Sequence, residues 1–257
     1  MPPLVEASQL SIGYGDRVVA RQINLSVQPG EMIGIVGPNG CGKSTLLRSL
    51  AGAIPPISGS LTMGGDTLAR LADRERARLV GYMGVAESCE FPFSVRETVM
   101  LGRLPWHSKW KPSASDQEKV DRAIQQVDLA PLVDRPYFQL SAGERQRAAF
   151  ARLLAQDPEL MLFDEPTAHQ DPAHGVLLAG IMRELAANGK SILVVAHDLP
   201  WAFLHCPEVI IFDMNGALQR LRADADETPH LLRTAFNLEF AFPKLPSGHQ
   251  VPVPQIH

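Results

Sequence analysis

The sequence predicts an α/β fold with a mostly parallel core sheet, an antiparallel β subdomain at the N-terminus and an inserted α-helical subdomain. The antiparallel part is indicated by residues 3–27, whose short apolar stretches flank a glycine-rich turn. The helical part is indicated by residues 93–157, where strand-like runs give way to helical spacing. The parallel sheet is indicated by compact apolar runs separated by helix-length segments. These runs occupy residues 32–36, 79–83, 160–163, 192–196 and 209–212.

The remaining patterns predict helices and a single domain spanning residues 1–257. Helices are expected at residues 43–51, 116–127, 142–156 and 229–236. The proline-rich end that follows is expected to run over the surface. We therefore expect a core with its β subdomain (1–85 and 158–225), a helical subdomain (86–157), and a C-terminal helix with a surface tail (226–257).

The composition is that of an ordinary globular protein, with 45% hydrophobic and 20% charged residues among 257. The formal net charge is -4 without any block of like charges, which argues against nucleic acid as a partner. Cys41, Cys89 and Cys206 lie far apart, so neither a disulfide framework nor a zinc site is expected and a reducing cytoplasm fits. Residues 1–10 show no secretory pattern, and no apolar run approaches the roughly 20 residues of a membrane-spanning helix.

A glycine-rich loop lies between the strand at 32–36 and the helix at 43–51. It matches the phosphate-binding pattern G-x-x-x-x-G-K-[ST] in the strand–loop–helix context that phosphate binding requires. Glycines let backbone N–H groups converge on phosphate oxygens, Lys43 would supply a cation, and Ser44 would ligate Mg²⁺. The loop therefore predicts a P-loop NTPase that binds ATP or GTP. It comprises Gly37, Pro38, Asn39, Gly40, Cys41, Gly42, Lys43, Ser44 and Thr45.

Two carboxylates follow the apolar run at 160–163, at the strand end where α/β sheets place their ligands. Asp164 would hold Mg²⁺ directly or through water, and Glu165 would orient or deprotonate the attacking water. An acidic pair at a strand end is often only a solvated turn. The accompanying phosphate loop is what favours the catalytic interpretation.

Residues 140–146 read Leu-Ser-Ala-Gly-Glu-Arg-Gln and open a predicted helix. Ser141 is a suitable N-cap, and Glu144 completes a capping box, which is a structural reason for both residues. The segment also resembles the L-S-x-G-[EQ]-R-Q signature of ABC ATPases, and the D-E-P-T sequence that follows this signature in the family is present at residues 164–167. By this resemblance the chain is identified as a member of the ABC ATPase superfamily.

The resemblance implies a role for the signature across two subunits. Ser141 and the Gly143 N–H, with Glu144 beside them, would contact the γ-phosphate of the ATP held by a second copy, since a helix N-terminus favours anions. Hydrolysis would then require a head-to-tail homodimer.

Three further residues match the family in order along the chain. Tyr14 matches the aromatic that stacks on adenine, and Asp171 matches the D-loop acid. His197 matches the switch histidine that contacts the γ-phosphate, which makes Glu165, His197 and Lys43 the catalytic candidates. A lone tyrosine in a hairpin, or a lone histidine after a strand, is usually structural, so these assignments depend on the ordered set of motifs.

The sequence departs from the family pattern at two places. Val85 stands where the Q-loop glutamine is expected, and valine cannot ligate a metal; Glu87 is a candidate substitute. Residues 168–171 read Ala-His-Gln-Asp and lack the usual D-loop serine. We expect an active ATPase, because the catalytic candidates are retained. The sequence leaves two alternatives for its rate: the changes slow hydrolysis, or Glu87 compensates for Val85.

Residues 91–97 and 101–107 resemble the ATPases of importers for iron-siderophore, haem and cobalamin complexes. In that family they follow the Q-loop and form the groove that receives the permease's coupling helix, so Phe91, Phe93 and Trp106 are candidate anchors. The alternative is that these aromatics fill the core of the helical subdomain.

The resemblance thus implies an ATP-driven importer subunit that works with a membrane permease and a substrate-binding protein. It would be cytoplasmic and peripheral on the inner face of the cell membrane. The alternatives are the ATPase of an exporter, or a regulatory or soluble ABC protein with weak hydrolysis. Soluble ABC proteins that act on ribosomes or DNA more often show two fused cassettes, a long coiled-coil insertion or a basic arm, and this sequence shows none of these.

Overall fold

The computed structural model describes residues 2–84, 92–107, 112–168 and 171–255. The strands in these ranges are β1 (Val5–Tyr14), β2 (Arg17–Val27), β3 (Met32–Val36), β4 (Ser58–Met63), β5 (Asp66–Thr67), β6 (Val80–Met83), β7 (Leu160–Asp164), β8 (Ser191–Val195), β9 (Glu208–Phe212), β10 (Leu218–Arg222), β11 (Phe240–Ala241) and β12 (Val253–Pro254). The α-helices are α1 (Lys43–Leu50), α2 (Asp73–Leu79), α3 (Val95–Met100), α4 (Ala114–Gln126), α5 (Ala142–Gln156), α6 (Pro172–Ala187), α7 (Leu199–His205) and α8 (Thr228–Phe236).

The central sheet has six strands in the order β10-β9-β3-β8-β7-β6. All neighbouring pairs are parallel except β10, which joins β9 antiparallel. The five apolar runs predicted as strands all lie in this sheet, so the mostly parallel core is confirmed. β10 was not predicted, because its sequence Leu-Gln-Arg-Leu-Arg is largely exposed and carries no apolar run.

The N-terminal sheet is antiparallel, in the order β2-β1-β4-β5, and the predicted hairpin is its β1–β2 pair. Its buried face and the inner face of α1 share one apolar core with one side of the central sheet. Ile33 and Ile35 of β3 enter this core, whereas Met32 and Val36 enter the core on the opposite side, which α5 to α8 cover. Because β3 is buried on both faces, its sequence is continuously apolar rather than alternating.

The range expected to be helical contains α3, α4, α5 and short 3-10 turns. These three helices pack together through buried apolar side chains, which are Val95 and Val99 of α3, Val120 and Ile124 of α4, and Phe150 of α5. Their core is continuous with the α-helical side of the central sheet. This arrangement holds the start of α5 at a fixed place relative to β7.

The C-terminal segment forms α8 and a two-stranded ribbon of β11 and β12. Most of the tail is exposed, as expected, but Val251 is only 6% exposed and contributes to the core. Within the described ranges, no helix combines the length and the apolar character needed to cross a bilayer.

Candidate active site

The phosphate-binding loop connects β3 to α1, and its glycines are required by its backbone. A Cβ atom on Gly37 would lie 2.1 Å from the carbonyl oxygen of Phe212, so no larger residue fits. Gly40 and Gly42 have φ angles of 83° and 113°, a region that L-residues rarely adopt. Gly42 is also the N-cap of α1, so the loop leads directly into the helix N-terminus.

Lys43 is 6% exposed and folds back over the loop. Its Nζ donates hydrogen bonds to the carbonyl oxygens of Gly37 at 2.7 Å and Pro38 at 2.8 Å. Both acceptors are neutral, so the lysine charge is available to a phosphate. Burial raises the pKa of the neighbouring Cys41 thiol, although the positive charge of Lys43 opposes this, and the thiol is therefore neutral.

A cavity of about 310 Å³ opens over this loop and joins residues from distant parts of the chain. Its lining includes predicted nucleotide-binding residues together with the predicted catalytic residues Glu165 and His197. The full lining is Tyr14, Arg17, Val19, Asn39, Gly40, Gly42, Lys43, Ser44, Thr45, Glu165 and His197.

Asp164 lies at the end of β7, is 4% exposed and accepts two hydroxyl hydrogen bonds. Its Oδ1 accepts from Ser44 Oγ at 3.0 Å, and its Oδ2 accepts from the Tyr82 hydroxyl at 2.9 Å. Ser44 and Asp164 thus place two oxygen atoms together beside the cavity, which is the donor chemistry that Mg²⁺ prefers. Among the described residues, no cluster of three or more His, Cys, Asp or Glu side chains forms a metal site by itself.

Glu165 contacts His197, with 2.6 Å between its Oε1 and the histidine Nε2. The backbone of Glu165 has a φ of 57°, a conformation costly for a residue other than glycine. Three hydrogen bonds hold this backbone. The Glu165 N–H donates to the Val195 carbonyl at 3.0 Å, and the Glu165 carbonyl accepts from Gln146 Nε2 at 3.1 Å and from the Ala168 N–H at 3.1 Å. The carboxylate is therefore aimed at the cavity by β8 and α5.

The signature residues cap α5 as the sequence predicts. Ser141 Oγ accepts from the Glu144 N–H at 3.2 Å, while the Ser141 N–H donates to the Glu144 carboxylate at 2.6 Å and lowers its pKa. Asp171 caps α6 in a similar way and accepts from the His174 N–H at 3.0 Å, which lowers the pKa of Asp171. None of Ser141, Glu144 and Asp171 lines the cavity over the phosphate loop in the described part of the chain.

Comparison with known proteins shows the family to which the chain belongs. The family described as ABC transporter matches residues 20–168, more than half of the sequence. The chain belongs to the ABC transporter family. It is an ATP-binding ABC ATPase, and the predicted fold class is thereby confirmed along with the predicted family.

Two curated relatives of this ABC ATPase cover nearly all of it. The hemin import ATP-binding protein HmuV of Pseudomonas entomophila (strain L48) is 36% identical over 253 residues, which is 96% of each chain. The probable siderophore transport system ATP-binding protein YusV of Bacillus subtilis (strain 168) is 34% identical over 238 residues, covering 91% of this chain and 86% of the relative.

Solved structures show the same fold. A chain from an inward-facing conformation of an ABC transporter superposes with a TM-score of 0.84 at 23% identity, covering 99% of this ABC ATPase and 98% of that chain. An ATP-binding cassette solved as a post-hydrolysis dimer with ADP and Pi gives 0.74 at 24% identity, covering 86% and 99%.

Three contacts of the ABC ATPase site were not predicted from the sequence. They are the Tyr82 hydroxyl on Asp164, the Arg48 side chain beside it, and the Gln146 amide on Glu165. Gln146 belongs to the signature sequence, so its position beside the acidic pair could have been anticipated. Tyr82 and Arg48 lie in a strand and a helix whose patterns indicate only packing.

Several residues singled out in the sequence lie outside the described part of the structure. They are Val85 and Glu87 of the Q-loop region, Phe91, and His169 and Gln170 of the D-loop. The expected effects of the Q-loop and D-loop residues on hydrolysis, and of Phe91 on permease docking, remain predictions.

Proposed function

We propose that this chain hydrolyses ATP to power the uptake of a metal chelate, of the ferric siderophore, haem or cobalamin type, through a separate membrane permease. The observation that carries the proposal is the cavity that brings the phosphate loop, Glu165 and His197 together. The names of the relatives, which refer to hemin import and siderophore transport, support the importer assignment.

Each residue of the site has a task that its position supports. The loop N–H groups and Lys43 bind the β- and γ-phosphates, and the Tyr14 ring, 47% exposed at the cavity edge, is available to the adenine. Ser44 and Asp164 hold Mg²⁺, which when bound neutralises charge on the phosphates. Glu165 accepts a proton from, or orients, the attacking water. Without nucleotide, His197 contacts Glu165. When ATP binds, His197 turns to the γ-phosphate, because that group carries more negative charge than the Glu165 carboxylate.

A homodimer completes this site. Ser141 and Glu144 cap α5 away from the cavity of their own chain, so they can contact a nucleotide only in another copy. In a two-fold dimer, the α5 N-terminus of each copy would face the phosphate loop of its partner. The same contact would then form twice, once at each nucleotide.

A second surface supports docking of the permease. A groove of about 350 Å³ is lined by residues that include Tyr82, Leu104, Pro105 and Arg152, and Leu104 is 44% exposed there. Trp106 lies beside it, is 38% exposed and has the guanidinium of Arg103 5.1 Å from its ring. Trp106 is thus partly packed and partly open, and its open part supports the proposal that it is an anchor for the permease.

Substitution Glu165→Gln tests the proposed chemistry. It keeps the size and the hydrogen-bonding capacity of the side chain but removes the base, so ATP turnover should fall by about 10²- to 10⁴-fold while ATP binding is retained. The measurement is phosphate release by the assembled transporter. Glu184→Gln, at an exposed position of α6, is the matched control and should leave turnover unchanged. Parental turnover in the Glu165→Gln protein would show the catalytic assignment to be wrong.

Uptake assays test the cargo and the direction of transport. Four classes of cargo are supplied to cells lacking this chain: ferric siderophores, haem, cobalamin and oxyanions. We expect the cells to lose uptake of one of the three metal chelates and to retain uptake of oxyanions. Complementation with the Glu165→Gln gene should not restore the lost uptake. Loss of oxyanion uptake alone, or of none of these, would contradict a metal-chelate importer.

A further inference from the structure

Tyr82 lies between two functional surfaces of the molecule. Its side chain belongs to the lining of the groove with Leu104 and Arg152, while its hydroxyl donates to Asp164 Oδ2 at 2.9 Å. The strand that carries it, β6, is an edge strand next to β7, and β7 ends at Asp164. One rigid ring therefore spans the distance from the groove to the carboxylate.

The hydrogen of the Tyr82 hydroxyl has a defined direction. Arg48 Nε donates to the Tyr82 oxygen at 3.4 Å, and because a guanidinium cannot accept, the tyrosine hydrogen points to Asp164. Burial raises the pKa of Tyr82, so the hydroxyl stays protonated. Arg48 also donates to the Tyr14 hydroxyl at 3.5 Å, which extends the network to the cavity edge.

The two oxygens of Asp164 thus have different partners. Oδ1 accepts a hydrogen bond from Ser44 Oγ. This bond has to change when Ser44 Oγ and Asp164 Oδ1 both turn to a metal ion. Oδ2 is held by Tyr82 and has no such conflict. A carboxylate fixed at one oxygen presents the other to the metal in a constant orientation.

We propose that Tyr82 is a positioning residue for Asp164, and that its hydroxyl links the groove to the metal-binding carboxylate. The inference rests on the proposed function, because it assumes that Asp164 serves Mg²⁺ and that the groove receives the permease. Tyr82 acts through Asp164, and among the described residues it does not line the cavity over the phosphate loop.

Substitution Tyr82→Phe keeps the ring in the groove and removes only the hydroxyl. In the isolated subunit we expect the gain in ATP affinity on adding Mg²⁺ to fall about tenfold, because a hydrogen bond to a charged group is lost. Affinity for ATP measured in EDTA should not change. A fluorescent ATP analogue titrated with and without Mg²⁺ measures both values.

The assembled transporter provides the second readout. Tyr82→Phe should co-purify with the permease as the parent does, while stimulation of its ATP turnover by the permease falls. Gly84→Ala provides an independent variant, since its Cβ would lie 2.9 Å from the Tyr82 hydroxyl and would displace the ring. It should reproduce both defects with the tyrosine still present.

The control is Tyr137→Phe, the same chemical change at a 6% exposed tyrosine in the helical part, which should leave both readouts at parental values. An unchanged Mg²⁺ effect or unchanged stimulation in Tyr82→Phe would overturn the inference. The proposed function would survive that result, because it depends on the separate loss of turnover in Glu165→Gln.

Discussion

Among single residues, the strained conformation of Glu165 and the buried charge of Asp116 carry the clearest energetic consequences. The left-handed backbone of Glu165 costs on the order of 1 kcal/mol or more, yet hydrogen bonds to the Val195 carbonyl of β8 and from the Gln146 side chain of α5 maintain it. Strain that the surrounding structure maintains is common at functional sites. Asp116 is instead a structural charge, away from the cavity.

Asp116 on α4 is 3% exposed and forms an ion pair of 2.8 Å with Arg103. Burial alone would raise the pKa of its carboxyl, but hydrogen bonds from Ser113 and Arg103 outweigh this and lower it. Asp116→Asn leaves Arg103 buried without a counter-charge. We expect the free energy of unfolding to fall by about 3 kcal/mol at pH 7. Urea denaturation measures it.

The sign of the pH dependence follows from the lowered pKa. The ion pair stabilises the fold above the unfolded-state pKa of about 3.9 and loses its effect as pH falls towards the folded value. The difference between parent and Asp116→Asn should therefore shrink as the pH falls below about 4. Asp121→Asn, on the same helix but with a half-exposed ion pair, should cost no more than about 1 kcal/mol. Equal losses in the two variants would contradict the burial argument.

At this scale, the sequence predicts the residues whose type is dictated by chemistry. Gly37, Lys43, Ser44 and Asp164 follow from phosphate and metal binding, and the structure places them at one cavity or beside it. Tyr82 could not be predicted, because its contact with Asp164 depends on the parallel register of β6 and β7, and a tyrosine in a strand equally indicates packing.

At the scale of elements, α5 has two tasks at its first turn. Ser141 caps the helix, and it is also the residue proposed to meet the partner's γ-phosphate. Ser141→Ala should remove the cap and lower the melting temperature by about 2–4 °C, together with turnover. Ser141→Asp should keep the cap, since aspartate is an equally good N-cap, but should still lose turnover because its charge repels phosphate. Thermal denaturation and phosphate release separate the two roles.

The capping box at Ser94 and Glu97 of α3 is a matched control. Ser94 Oγ accepts from the Glu97 N–H at 3.2 Å, the same distance as in the α5 cap. Ser94→Ala in the isolated subunit should lower the melting temperature without lowering ATP turnover. Restored turnover in Ser141→Asp would mean that the serine serves only as a cap.

Elements with strong local patterns were predicted well. The strands β3, β6, β7, β8 and β9, and the helices α4, α5 and α8, appear within a few residues of the expected positions. The ribbon of β11 and β12 and the burial of Val251 were not expected, because a proline-rich end gives no local signal for long-range pairing. The sequence order alone also cannot specify which strands lie next to each other.

At the scale of the whole molecule, each subunit is proposed to carry half of two sites. The phosphate loop, Asp164 and Glu165 lie at the strand ends of the central sheet, whereas Ser141 lies at the start of α5 and outside their cavity. A monomer would bind ATP with one half only. Turnover should therefore depend on the assembly of two copies. A defect in the phosphate loop of one copy and a defect in the α5 N-terminus of the other copy should affect the same site.

Mixed dimers test this arrangement directly. Lys43→Ala removes the phosphate cation and Ser141→Asp disables the opposing helix, so dimers of either variant alone should be inactive. A mixed dimer, isolated through two different affinity tags, holds one site in which an intact loop faces an intact signature. Its turnover should be on the order of half the parental value, because a two-fold dimer has two equivalent sites. If each chain instead completed its own site, both sites of the mixed dimer would be defective and turnover would stay at the level of the single variants.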